Sequence, residues 1–236
     1  MSKKTRILPK HVALIPDGNR RWSRNHRLAL LQGYNLGIKK FVDFSEWLRQ
    51  FGVDTLSVWA LSTENVINRN AAELKVLYDL YVKAANDPEI IARLIKNRAR
   101  IRIIGNLSLL PEGVRKALKS LEARTRNYRD YTINMLVAYG GRDDITYALR
   151  RIAATRAHSP SRISEKLVSE NLRSSSVPNV DMVIRTSGEE RISGLLPWQA
   201  GYSELYFARK YWPDFQKKDL KRALDTFSKR RRRFGK

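Results

Sequence analysis

The sequence contains no cysteine, which excludes disulfides, thiolate-bound metals and a cysteine nucleophile. It has only three histidines, His11, His26 and His158, and they show no metal-ligand spacing. No apolar run approaches the ~18 residues that cross a bilayer. The apolar part of the leading MSKKTRILPKHVALIPDGN is too short for a secretory signal. The patterns G-x-x-x-x-G-K-[ST], G-x-G-x-x-G and G-x-S-x-G are absent, and so is a Ser-His-Asp order. A P-loop ATPase, a typical dinucleotide enzyme and a triad hydrolase are therefore not expected. The expectation is a cytoplasmic, soluble protein.

Acidic residues are scarce relative to basic ones: 23 against 46, a formal net charge of +23. Such a surplus favours polyanions, whether nucleic acid, an anionic membrane surface or phosphorylated substrates. Composition does not choose among them. The densest block, Lys229–Arg233, reads first as a solvated helix end. No recognised nucleic-acid module occurs, so nucleic acid is not an expected partner. Peripheral contact with anionic headgroups stays open.

At 236 residues the chain reads as one domain, 1–236, long enough to bury a sizeable core. Six short apolar runs punctuate it: Val12–Ile15, Thr55–Leu61, Ile101–Ile104, Thr132–Ala138, Met182–Ile184 and Leu205–Phe207. Their continuous hydrophobicity is that of strands buried on both faces. Helical patterns alternate with them, such as Val114, Ala117, Leu118 and Leu121, or Leu74, Leu77, Tyr78 and Tyr81. The alternation predicts an α/β fold: a single, mostly parallel sheet of about six strands flanked by helices. The Ser/Pro-rich stretches 158–164 and 173–179 read as looser connections.

Polar signatures follow the runs. They are Asp17-Gly18-Asn19, Ser62-Thr63-Glu64-Asn65, Gly105-Asn106, Tyr139-Gly140-Gly141-Arg142-Asp143, and the loop opened by Arg185. Ligands of open α/β sheets bind outside the carboxyl ends of the strands, so five exits are expected to converge on one rim. The stretch from Asp181 to Phe207, DMVIRTSGEERISGLLPWQAGYSELYF, is the most telling. A buried strand there empties into arginines, hydroxyls and a glycine, groups that suit a diphosphate. Asp17 and Glu204 are carboxylates at strand ends. Mg²⁺ is commonly held by one or two carboxylates plus substrate phosphates, so a metal–diphosphate site is the expected chemistry.

Several segments together resemble the cis-prenyltransferases, the undecaprenyl diphosphate synthase family. They are IPDGNRRW (15–22), ALSTEN (60–65), RIRIIGNLSLLP (100–111), TINMLVAYGGRDDI (132–145), the DMVIRTSGEERISGLLPWQ stretch with SELYF, WPDF (212–215) and RRFG (232–235). The resemblance implies a parallel sheet with a hydrophobic tunnel between sheet and helices. It implies a Mg²⁺-dependent reaction that adds isopentenyl diphosphate to an allylic diphosphate and creates cis double bonds. In the same way Asp17 is the expected metal ligand, assisted in a homodimer by Glu204. Gly18, Asn19, Arg20, Arg21 and Trp22 belong to the loop that holds the allylic diphosphate. Ser62, Glu64 and Asn65 are where the homoallylic substrate is placed and loses its proton. Arg185, Arg191 and Ser193 cradle isopentenyl diphosphate. Arg233 and Gly235, in the basic tail 229–236, reach the partner's site.

Three departures from the family pattern fall on the allylic side. Leu30 and Tyr34 stand where the family has Arg and His. Val66-Ile67-Asn68-Arg69-Asn70 replaces an aromatic-x-Arg-Pro segment, with Arg69 the candidate for its arginine. Leu61 replaces an aromatic residue. Arg20, Arg24 and Arg27 are candidates to compensate. The alternatives are ordinary drift in a linear polyprenyl synthase, or an atypical member that condenses non-head-to-tail or prenylates a small acceptor. A non-catalytic partner subunit is disfavoured, because it would have no reason to keep Asp17, Asn65, Arg185, Arg191 and Glu204.

Overall fold

The structure is a computed structural model that describes residues 7–155 and 162–230. Six strands form one sheet: β1 (His11–Ile15), β2 (Thr55–Ser62), β3 (Ala99–Ile104), β4 (Tyr131–Tyr139), β5 (Met182–Arg185) and β6 (Glu204–Phe207). Every pairing is parallel and the order is β3-β4-β2-β1-β5-β6. All six runs picked out in the sequence are strands, most of them longer by a residue or two.

The continuous apolar reading of β1 has a direct cause. Val12 and Leu14 pack into the core on one face of the sheet, while Ala13 and Ile15 pack into the core on the other. The first, larger core lies under α2 (Leu30–Gln50), α4 (Ala71–Asn86), α5 (Pro88–Lys96), α6 (Glu112–Thr125) and α9 (Lys217–Lys229). The second is roofed by the chain around 177–200. On α6 the buried stripe is the expected one, with Val114, Ala117, Leu118 and Leu121 all inside. On α4 it is rotated. Leu77, Leu80, Tyr81 and Ala85 are buried, and Glu73 with them, whereas Leu74 and Tyr78 lie on the flank.

Two sequence expectations are corrected. The stretch 173–179 is not a loose connection. Ser174 is fully buried and its hydroxyl donates to Asp144, while Val177 belongs to the second core. A Ser-rich segment can be buried because its hydroxyls find partners there. Of 158–164, residues 158–161 lie outside the described residues. The Gly105-Asn106 exit lies on the same rim but does not reach the cavity. β3 is the edge strand, two strands removed from β1, and Asn106 turns back to bond the Ala138 carbonyl at 2.9 Å.

Gly105 is needed for that turn. Its φ is +142°, and a Cβ there would sit 1.9 Å from the Val137 carbonyl oxygen. Neither backbone can move without breaking the β3–β4 ladder. Gly105→Ala is therefore expected to lose more than about 2 kcal/mol. Urea unfolding would measure it, and an unchanged midpoint would show that the turn relaxes freely.

Candidate active site

The connections of β1 and β5 leave in opposite directions: β1 leads towards β2, β5 towards β6 on the other edge. A crevice at such a switch point is the general ligand site of open α/β sheets. Here the exit loops meet there. Asp17 Oδ2 accepts from Arg185 Nη2 at 2.9 Å and lies 3.4 Å from Arg21 Nη2. Arg185 is only 6% exposed in its side chain. Its other terminal nitrogen, Nη1, donates to the Arg191 carbonyl at 2.6 Å and to the Ser193 hydroxyl at 2.8 Å. One guanidinium thus fixes the first loop and the 191–193 loop together, which a lysine cannot do.

Arg21 carries the same logic outward, donating to Ser187 at 2.7 Å and to Glu189 at 2.8 Å. Ser187 and Ser193 hold left-handed backbone, with φ of 78° and 50°, each followed by a glycine with positive φ. Strain at non-glycine residues of this kind gathers where a ligand dictates the loop. Burial alone would raise the Asp17 carboxyl. The hydrogen bond and charge of Arg185, with Ser187 and Arg21, outweigh it and hold the carboxyl below the ordinary range.

The crevice opens into a cavity of about 1080 Å³ that runs between the sheet and helices α2, α4, α5 and α6. Its mouth is lined by six arginines (Arg20, Arg21, Arg69, Arg142, Arg185, Arg191) against three carboxylates (Asp17, Glu64, Glu189). Its interior is apolar, with Phe41, Leu80, Leu94, Ile101 and Leu121 among the walls. Such a site takes an anion at the mouth and a hydrocarbon within.

The first loop is shaped for close approach. Gly18 has φ +104° and caps α1 (Asn19–Asn25) with no side chain, so no side chain covers the first-turn N–H groups. Asn19 donates to the Pro16 carbonyl, and its amide sits against Gly37, where a Cβ would be 2.5 Å from Oδ1. On β2, Ser62 caps α3 (Thr63–Asn68) by accepting from the Asn65 N–H at 3.0 Å. Ser62, Glu64 and Asn65 all line the cavity.

Comparison with known proteins places this geometry in a family. Residues 15–235 match the undecaprenyl diphosphate synthase family of prenyltransferases. The chain belongs to that family. A tritrans,polycis-undecaprenyl-diphosphate synthase (geranylgeranyl-diphosphate specific) of Methanopyrus kandleri is 42% identical over 231 residues, 97% of this chain and 85% of that one. The crystal structure of lavandulyl diphosphate synthase from Lavandula x intermedia, in complex with dimethylallyl diphosphate, superposes with a TM-score of 0.91 at 32% identity. The match covers 97% of this chain and 99% of that one. A probable undecaprenyl diphosphate synthase from Campylobacter jejuni superposes with a TM-score of 0.79 at 29% identity, with the same coverage.

Most residues singled out from the sequence come together. Asp17, Gly18, Asn19, Arg20, Arg21, Ser62, Glu64, Asn65, Arg69, Arg185, Arg191 and Ser193 line one cavity. Trp22 does not. It is buried, stacks on His26 and donates to Asp214 at 2.8 Å, so it packs α1 against the 212–214 turn. Glu204 lies at the start of β6, in register with the first residue of β5, and so at the opposite end of the sheet from Asp17. It pairs there with Arg230 at 2.7 Å. Within one chain these two carboxylates do not share a site. Arg233 and Gly235 lie outside the described residues. Of the compensating candidates, Arg20 reaches the cavity lining, while Arg24 and Arg27 are exposed elsewhere.

Sequence reasoning missed Glu73 and Glu189. Glu73 follows Asn70 by three residues, which reads as helix capping. The cap is real, with Asn70 accepting from the Glu73 N–H at 2.8 Å, but the Glu73 side chain goes to Tyr34, Arg69 and Arg20 instead.

Arg185→Lys is expected to release the Asp17 carboxyl towards its ordinary titration range. A carboxyl depressed by its folded partners adds stability above its unfolded value and loses that contribution as pH falls through the folded one. The wild type should therefore lose this contribution at more acid pH than the variant. Carbon-13 NMR titration of the Asp17 carboxyl reads the shift directly. Identical titrations in both proteins would show that Arg185 is not its cause.

Proposed function

We propose that the protein condenses isopentenyl diphosphate with an allylic prenyl diphosphate to form a cis-polyprenyl diphosphate, releasing diphosphate. The observation that carries this is a single cavity whose mouth is cationic and whose interior is hydrocarbon-like, in a chain of this family. The allylic diphosphate lies along the Asp17–Arg21 loop, with Arg69 on its far side. Isopentenyl diphosphate lies against Arg191 and Ser193, where Arg185 keeps the loop in place. The carbon–oxygen bond of the allylic substrate breaks, the new carbon–carbon bond forms to isopentenyl diphosphate, and one proton leaves near Ser62, Glu64 and Asn65. Fixed cations facing the departing diphosphate stabilise charge as it develops.

Mg²⁺ fits this mouth in one way. Among the described residues no group of three metal-binding side chains occurs. Asp17 offers one ionised, partly exposed carboxylate beside the diphosphate position. One carboxylate plus substrate oxygens and water is an ordinary Mg²⁺ environment. Bound there, the ion would neutralise diphosphate charge. The active species is read as a homodimer, with the tail 229–236 and Glu204 serving the partner's site. Among the described residues no helix is long and apolar enough to cross a membrane. Contact with anionic headgroups is read as peripheral, in a cytoplasmic protein.

Incubation with Mg²⁺, labelled isopentenyl diphosphate and allylic diphosphates of increasing length tests the reading. Linear cis products are expected, and absence of isopentenyl incorporation with every primer would overturn it. Branched or acceptor-linked products would instead favour the second reading, for which Leu30 and Tyr34 are the motive. Asp17→Ala is expected to lower turnover by about 10²–10³-fold while the fold is kept at a melting temperature lowered by several degrees, because Arg185 loses a partner. Tyr81 is buried and lines the cavity; Tyr78 does not. Tyr81→Ala is therefore expected to lengthen the product and Tyr78→Ala to leave it unchanged, as chromatography of the dephosphorylated products would show.

A further inference from the structure

Where α2 and α4 flank the mouth, four side chains close on one another. Glu73 is 8% exposed. Its Oε1 accepts from the Tyr34 hydroxyl at 2.9 Å and lies 3.0 Å from Arg69 Nη1, and its Oε2 takes Arg20 Nη1 at 3.2 Å. Arg69 Nη1 also donates to the Tyr34 oxygen at 3.0 Å. The Tyr34 hydroxyl is thus donor to the carboxylate and acceptor from the guanidinium at once. Tyr34, Arg20 and Arg69 line the cavity, whereas Glu73 stands behind them.

A buried carboxylate persists only when its charge is matched and its lone pairs are filled. Glu73 achieves this with two arginines and one phenol. The cluster keeps one positive charge in excess, carried by guanidiniums whose forks are oriented by the same contacts. Arg20 uses only one terminal nitrogen on Glu73, and its side chain is 61% exposed at the mouth. Burial, reinforced by Glu73 and partly offset by Arg69 and Arg20, pushes the Tyr34 phenol up to about 12. It stays a neutral donor throughout the neutral range and neither accepts a substrate proton nor carries charge to the diphosphate.

We propose that Tyr34 and Glu73 form a positioning strut that aims Arg20 and Arg69 at the allylic diphosphate. The strut sets affinity for that substrate and not for isopentenyl diphosphate. The selectivity follows from geometry, since the strut's contacts run to Arg20 and Arg69 and none runs to Arg185, Arg191 or Ser193. Without the phenol, Arg69 loses an acceptor and the carboxylate, short of a donor, holds both guanidiniums against itself rather than towards the cavity. The inference rests on the functional reading above.

Calorimetric titration of two ligands, a farnesyl thiodiphosphate that does not react and isopentenyl diphosphate, separates the possibilities without turnover. Tyr34→Phe removes one oxygen, and Glu73→Gln keeps the shape while removing the charge. Each is expected to weaken the allylic ligand about tenfold and to leave isopentenyl diphosphate within twofold. The double variant should be no worse than the poorer single one, because the two side chains act as a unit. Equal weakening of both ligands, or a fall in melting temperature with neither affinity changed, would leave the pair a structural element only and overturn the proposal. If the wild type bound neither ligand, the functional reading itself would fall. Selective loss in the variants requires that the wild type bind both.

Discussion

The arginine at the end of β5 holds the mouth together. Asp17 and Arg185 face each other across the point where the sheet's connections diverge, joined by one terminal nitrogen of the guanidinium. The pair is partly buried, so separating it leaves a desolvated charge on each side, at about 1.5–3 kcal/mol for a charged hydrogen bond. Arg185 also holds the Arg191 carbonyl and the Ser193 hydroxyl. The first loop, the last cradle loop and the ends of two central strands are therefore one unit. Arg21 extends it to Ser187 and Glu189. Within one protomer a single fork thus sets the relative positions of the two loops.

The cavity behind the mouth depends on a different constraint. Sheet and helices must separate enough to leave hydrocarbon space and still bury two faces of every central strand. Alternation along β1 meets the second need, and small residues meet the first. Gly37 on α2 and Ala84 and Ala85 on α4 are among the cavity walls. At Gly37 the adjacent Asn19 amide and Trp212 ring leave no room for a Cβ. That close approach seats Asn19 of the first loop against α2.

On the allylic side, the chain departs from its family's residues without leaving a void. By the family resemblance, Leu30 and Tyr34 take the places of a cation and an imidazole. The structure answers with Arg69 and Arg20, gathered on a buried Glu73. A neutral hydroxyl within a cationic cluster binds anions through its neighbours' geometry rather than its own charge.

The sequence by itself determined the sheet, its strands and most of the site. Buried parallel strands must read as continuous apolar runs, and loops that bind diphosphate must carry arginine, hydroxyl and glycine where the runs end. Arg185 and Ser193 were legible for that reason, Asp17 as a carboxylate at a strand end, and Asn65 through the family resemblance. Tertiary structure alone decided what depends on direction and distance. Strand order kept the Gly105-Asn106 exit away from the cavity, and register set Glu204 at the far end of the sheet from Asp17. Helix rotation brought Tyr81 to the cavity and left Tyr78 beside it. Glu73 drew no notice in the sequence, since its backbone N–H simply completes the cap made by Asn70 three residues before it. Its other partners, Tyr34 and Arg20, stand 39 and 53 residues away. Local patterns record which face a residue prefers. They do not record which distant charge will meet it there, because that contact exists only once the layers have packed.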